Sequence, residues 1–283
     1  MTAAQAPSAP TLGTATPARP SPLGFGRLML AEWTKIRSVQ STVWSLLAFV
    51  VVAVGFSTLV AAVIEHDWNA PGNHPNHARL ITDPTALIFG AGFGLGQLAL
   101  CVLGVIVITS EYSSGAIRAS LLAVPHRISW LAAKAVVFAL IDCVLSAITV
   151  FAVFFLTTGI LHSHVDITLS QPGVLRATIG AILYLTVLGL FALAIGGLIR
   201  HTAGAIATVI ALVIVVPPLV TLIPGTIANH IHGYLPIPAG LLVTQTTQQP
   251  GDVLSAWQGF GVFCLWTAAL LFACGWLLVR RDA

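Results

Sequence analysis

The 283-residue chain is 57% hydrophobic and 7% charged, against roughly 25% charged in an ordinary soluble domain. At a mean hydropathy of +0.95 it cannot clothe a water-facing surface, so lipid is the expected solvent for most of it. Its net charge of +3, from twelve Lys/Arg and nine Asp/Glu, is too small for a nucleic-acid-binding face, and no HExxH, CxxC, GxSxG or GxxxxGK(S/T) pattern offers a catalytic or nucleotide site.

Residues 1–22 carry five prolines and one charge, Arg19, with no apolar stretch of the signal-peptide kind. They are expected to form a disordered tail. Residues 24–40 then read as an amphipathic helix lying at the membrane surface. At 100° per residue, Phe25, Leu28, Met29, Trp33, Ile36 and Val39 share one arc, and Arg27, Thr34, Lys35, Arg37 and Ser38 the other. Glu32 falls inside the apolar arc. Either it bends out to water, or it meets a basic side chain of the neighbouring loop.

Six apolar segments follow, at about 43–64, 86–109, 135–161, 177–199, 203–224 and 256–279. Each is long enough to cross a hydrocarbon core of ~30 Å as a helix. The second holds Gly90, Gly92, Gly94 and Gly96, two small-xxx-small pairs that let helices approach closely in lipid. Gln97, midway along it, and Asp142, in the third segment, are polar groups in the bilayer. Both are candidates for a translocation path, with interhelical hydrogen bonding as the alternative. Pro217 and Pro218 remove two backbone donors from the fifth segment and should kink or break it. Cys101, Cys143, Cys264 and Cys274 lie inside apolar runs and suit packing rather than disulfides or zinc.

Ten basic residues fall on one side of these segments: Arg19, Arg27, Lys35, Arg37, Arg118, Arg127, Lys134, Arg200, Arg280 and Arg281. Only Arg79 and Arg176 fall on the other. By the positive-inside rule both termini are cytoplasmic. His66, His74, His77, His162, His164, His230 and His232 gather on the outer side, either as polar loop residues or as ligands of a borderline metal. The longest cytoplasmic connection, 110–134, contains a short helix capped by Ser113 or Ser114 and stopped by Pro125. Its stripe of Ile117, Leu121 and Leu122 packs either on the chain's own spans or in a groove of a cytoplasmic partner.

The run Glu-Trp-Thr-Lys-Ile-Arg-Ser (32–38) and the run Glu-Tyr-Ser-Ser-Gly-Ala-Ile-Arg (111–118) followed by Pro-His-Arg (125–127) resemble type-2 ABC transporter permeases. So do Arg-His-Thr-Ala-Gly (200–204), Tyr-Leu-Pro (234–236) and the Arg-Arg-Asp ending, although Ala116 stands where many members have Thr. The resemblance covers essentially everything after the tail. It implies an all-α, six-span permease domain over 23–283, in the plasma membrane, working as one half of a homodimer or heterodimer. A separate cytoplasmic ABC ATPase subunit would bind ATP and magnesium, so that this chain is no enzyme, binds no cofactor or metal itself, and serves as an exporter. In that frame the 24–40 helix, with Glu32, Trp33, Lys35 and Arg37, is the connecting helix. Glu111, Tyr112, Gly115, Ile117, Arg118, Leu121, Leu122 and Arg127 surround the coupling helix at about 114–124. Two other readings use different residues: a membrane metal-site or sensor protein using the histidines, and an ion-driven transporter using Asp142.

The sidedness is testable by cysteine substitution. External, membrane-impermeant maleimide should label cysteines placed at Pro75 and Gln245 but not one at Gly115. External labelling at position 115 would invert or break the six-span topology.

Overall fold

The computed structural model describes residues 24–38, 40–68, 82–117, 127–224, 226–249 and 251–280. The tail at 1–22, Val39, Arg79, His74, His77, Arg118, Leu121, Leu122 and Arg281 lie outside the described residues. Within them the protein is all-α, with ten α-helices and no strand. It is a multi-pass membrane protein.

A surface helix, α1 (Phe25–Ser38), precedes the first span, α2 (Gln40–His66). Two long spans follow, α3 (Pro84–Ser113) and α4 (Arg127–Leu161), and then α5 (Val174–Ile199). The fifth span is composite. It starts as α6 (Thr202–Ile210), widens into a π-helical segment at Ala211–Val215 and ends as α7 (Val216–Thr221). Two short helices, α8 (Thr226–Tyr234) and α9 (Pro236–Leu241), lead to the last span, α10 (Ala256–Arg280). Six of these runs are 20 to 35 residues long and apolar enough to cross a membrane.

α3 and α5 form the centre. In each, 61% of the most apolar window is buried, against 22% in the fifth span and 28% in α2 and α10. Their contact is made by aromatic rings: Phe93 stacks on Tyr184 at 6.2 Å, and Tyr184 and Phe191 both meet Phe263 of α10, at 5.6 and 5.8 Å. Close backbone approach depends on Gly96, where an added Cβ would sit 2.6 Å from the Ala53 Cβ of α2. Gly90 and Gly94 have open space beside them instead, so among the described glycines of the expected small-residue stripe it is Gly96 that packs within this chain.

The two prolines explain the composite fifth span. Pro217 and Pro218 have no N–H to give to the carbonyls one turn earlier, and the backbone widens into the π segment just before them. The turn between the fourth and fifth spans has its own local causes. Arg200, at φ 60°, ends α5 in the left-handed region, and His201 Nδ1 accepts from the Gly204 N–H at 3.2 Å to cap α6.

Candidate functional site

The inward face of α1 is Leu28, Glu32 and Ile36, spaced one turn apart and 7%, 3% and 8% exposed. Glu32 therefore does not bend out to water. Its Oε2 accepts from Lys134 Nζ of α4 at 2.6 Å, and its Oε1 accepts from Lys35 Nζ at 3.0 Å. The same two ammonium groups meet Glu111 at the end of α3. Lys134 Nζ lies 2.7 Å and Lys35 Nζ 3.2 Å from Glu111 Oε1. Trp130, one turn before Lys134, sets its ring 5.3 Å from Nζ. Two carboxylates and two ammonium groups thus cancel in one cluster that binds three helices, with Lys134, Glu32 and Glu111 buried and Lys35 at its exposed edge.

Burial pulls the Lys35 pKa down, while Glu111 and Glu32 push it further up, so it ends above the ordinary lysine value. A raised pKa on a base means that its stabilisation is complete at neutral pH. It is lost only as pH climbs through the strongly alkaline range.

Several expected positions shift. Lys35 turns inward rather than joining Arg37 on the outer, exposed face, because the two carboxylates draw its flexible stem. Trp33, placed in the apolar arc, is 48% exposed and turned away from the protein, which suits an indole at a membrane surface. The third span begins at Arg127 rather than near 135. Lys134 interrupts the hydropathy pattern, but its charge is neutralised, so the helix runs on.

In the loop after α3, Ser114 Oγ accepts from the Ala116 N–H at 3.4 Å, and Gly115 adopts φ 71°, a conformation that favours glycine. Ile117 is 3% exposed and packs into the chain's own core, so this member of the apolar stripe is not offered to a partner. Arg127 is also engaged internally, donating to the Leu278 carbonyl at 2.9 Å. Arg200 does the same to Leu277 at 3.3 Å and sits 5.3 Å over the Tyr112 ring. Both arginines cap α10, whose last carbonyls have no helical partner of their own. Ser113, Ser114, Gly115 and Ala116 remain exposed.

In the bilayer interior, Asp142 is fully buried. Ser146 Oγ donates to its Oδ1 at 3.2 Å, its Oδ2 has no partner, and Gly189 of α5 packs directly against the carboxylate. Closed in by Gly189, it serves α4–α5 packing. Gln97 accepts from the Tyr184 hydroxyl at 2.8 Å and also borders a cavity of about 580 Å³, away from the ion cluster.

At the ends of the spans opposite the ion cluster, Glu65 holds α2 to the end of α4. It accepts from Ser163 Oγ at 2.7 Å and lies 2.9 Å from His164 Nδ1, while the Trp68 ring packs tilted against the imidazole at 4.5 Å. Asp83 caps α3 through the Ala86 N–H at 3.0 Å and also accepts from Thr246 Oγ1 at 2.6 Å. His230 and His232 lie on a helix, where residues two apart face different ways. Among the described residues, no three His, Cys, Asp or Glu side chains converge as a metal site.

Searches against protein-family models and curated protein sequences find no match for this chain.

Two measurements follow from this geometry. Lys134→Met strands two buried carboxylates and should cost about 3–5 kcal/mol, seen as a lower melting temperature in detergent. Lys134→Met with Glu111→Gln keeps the Glu32–Lys35 pair and should recover part of that loss. Asp142→Asn keeps an acceptor for Ser146, so folded yield and melting temperature in detergent should stay near wild type. A large fall in either would mean that the carboxylate itself is needed where α4 meets α5.

Proposed function

We propose that the chain is the membrane-spanning subunit of an ATP-driven exporter of the type-2 ABC kind, one half of a permease dimer in the plasma membrane. The observation that carries this reading is the convergence of two separate motifs. Glu32 opens the first run that resembles these permeases and Glu111 the second, and both carboxylates meet on Lys134. A surface helix and the root of the longest loop on that side are thereby joined into one unit. Such a unit suits a subunit that is moved from the cytoplasm by a separate ATPase.

Mechanically, the ATPase would pull on the loop after α3, and the ion cluster would pass that displacement to α1 and α4 together. Coupling of this kind needs contiguous rigid elements, and a charge-balanced ion cluster joining three helices is one. ATP and magnesium would stay with the ATPase, and this chain supplies the path across the bilayer.

Inward packing of Ile117 moves the expected docking surface onto the exposed Ser113–Ala116 turn and the residues after it. Leu121→Asp should detach a co-expressed ATPase encoded beside this chain and abolish its stimulation, with the permease still inserted at normal levels. Ile117→Asp should instead lower the yield of folded protein. Wild-type association and hydrolysis in Leu121→Asp would mean that this loop is not the docking site. Failure of any neighbouring ATPase to co-purify with the wild-type chain would sink the ATP-driven reading itself.

A further inference from the structure

A polar-lined cavity of about 580 Å³ lies between the composite fifth span, α8, α9, α3, Gln245 and residues 251–253. That is within the roughly 300–1,000 Å³ of sites for drug-sized ligands. Its walls are of two kinds. Val213, Pro217, Ile237 and Leu241 give apolar surface, and the carboxamides of Gln97, Asn229 and Gln245 give polar contacts. His232 adds an imidazole, and among the described lining side chains the only fixed charge is the carboxylate of Asp252.

Asp252 makes no ion pair among the described residues. Its Oδ2 accepts from the Gln249 N–H at 2.8 Å, which fixes the carboxylate on its turn. It also borders an adjoining cavity of about 240 Å³, shared through Leu242 and Gln245. Arg176 lines only that smaller space. Its Nη2 donates to the carbonyls of Gln245 at 2.6 Å and Thr246 at 3.1 Å, and its buried Nη1 has no hydrogen-bond partner among the described residues. The guanidinium thus holds the cavity wall from behind and neither pairs with Asp252 nor faces the larger space. A half-buried carboxylate with no ion-pair partner among the described residues, beside apolar walls, attracts a cation that carries its own apolar body.

We propose that this cavity binds a lipophilic organic cation, with the positive centre at Asp252, the carboxamides around it and the apolar body against the fifth span and α9. As a cargo site it rests on the permease reading above; as a binding site it does not. An inorganic cation would leave the apolar walls unused, and an organic anion would meet Asp252 with like charge.

The test is equilibrium binding of tetraphenylphosphonium to the purified full chain in detergent, with no ATPase and no ATP. Saturable binding is expected. Asp252→Asn keeps an acceptor for Gln249 but loses the charge, and should weaken binding about tenfold or more. Asp252→Glu should stay within about threefold. Leu241→Trp, which fills the space without changing charge, should also lose binding. Tetraphenylborate, the same shape with opposite charge, should not compete. Size-exclusion profiles and melting temperatures matching wild type confirm that each variant is folded. No saturable binding by the wild type, or equal affinity in wild type and Asp252→Asn, would overturn the proposal. Neither result would touch the permease reading, which is decided by ATPase co-purification.

Discussion

Lys134 sits where three helices meet, and its position is set by charge balance under near-total burial. An ammonium group 2% exposed in a chain this apolar is tolerable only with partners in direct contact. Glu32 and Glu111 supply them from α1 and α3, and Lys35 supplies the fourth charge that makes the cluster neutral. Removing one member leaves a buried charge uncompensated, so α1, α3 and α4 are held in one relative register. The Trp130 ring against Nζ and the capping of α10 by Arg127 extend that constraint across the same end of the bundle.

The sequence made the six spans legible because apolar length is a direct consequence of bilayer thickness. It also exposed Glu32 as a conflict with its helix face, and the cluster is the resolution of that conflict. Three features were harder to read. Lys134 looked like a loop residue, since a hydropathy window counts its charge and cannot see two carboxylates brought from distant segments. Ile117 had two equivalent destinations, and only tertiary packing chose the inner one. α8 and α9 are too short to stand out by periodicity, although Leu235–Pro236, an extended residue followed by a proline, marks the start of α9.

The polar residues in the bilayer show the same limit from another side. Asp142 and Gln97 are alike in sequence terms, each a polar group in an apolar run. Their surroundings separate them: Asp142 is closed in by Gly189 and bonded to its own helix, whereas Gln97 reaches from Tyr184 to a cavity. The absence of a Cβ at Gly189 decides the first case. Any larger residue there would have to displace the carboxylate, so α4 and α5 are matched at that point by size as well as polarity.

α3 connects the two regions to which function is assigned. Glu111 near its end belongs to the ion cluster, Gln97 borders the cavity, and the fourteen-residue step from one to the other spans about 21 Å of helix. At its start, Asp83 binds both the α3 backbone and Thr246 in the segment that forms part of the cavity wall. A displacement of Glu111 along the helix axis therefore cannot be absorbed locally. It must be shared by the Gln97–Tyr184 bond, the Gly96–Ala53 contact and the Asp83–Thr246 bond. Opposite this helix stands the fifth span, the least buried of the six and the only one broken by a π segment and paired prolines. A stiff helix facing an interrupted one across a cavity places the yielding element on the far wall, so that a displacement at the ion cluster would be taken up as a change in cavity shape.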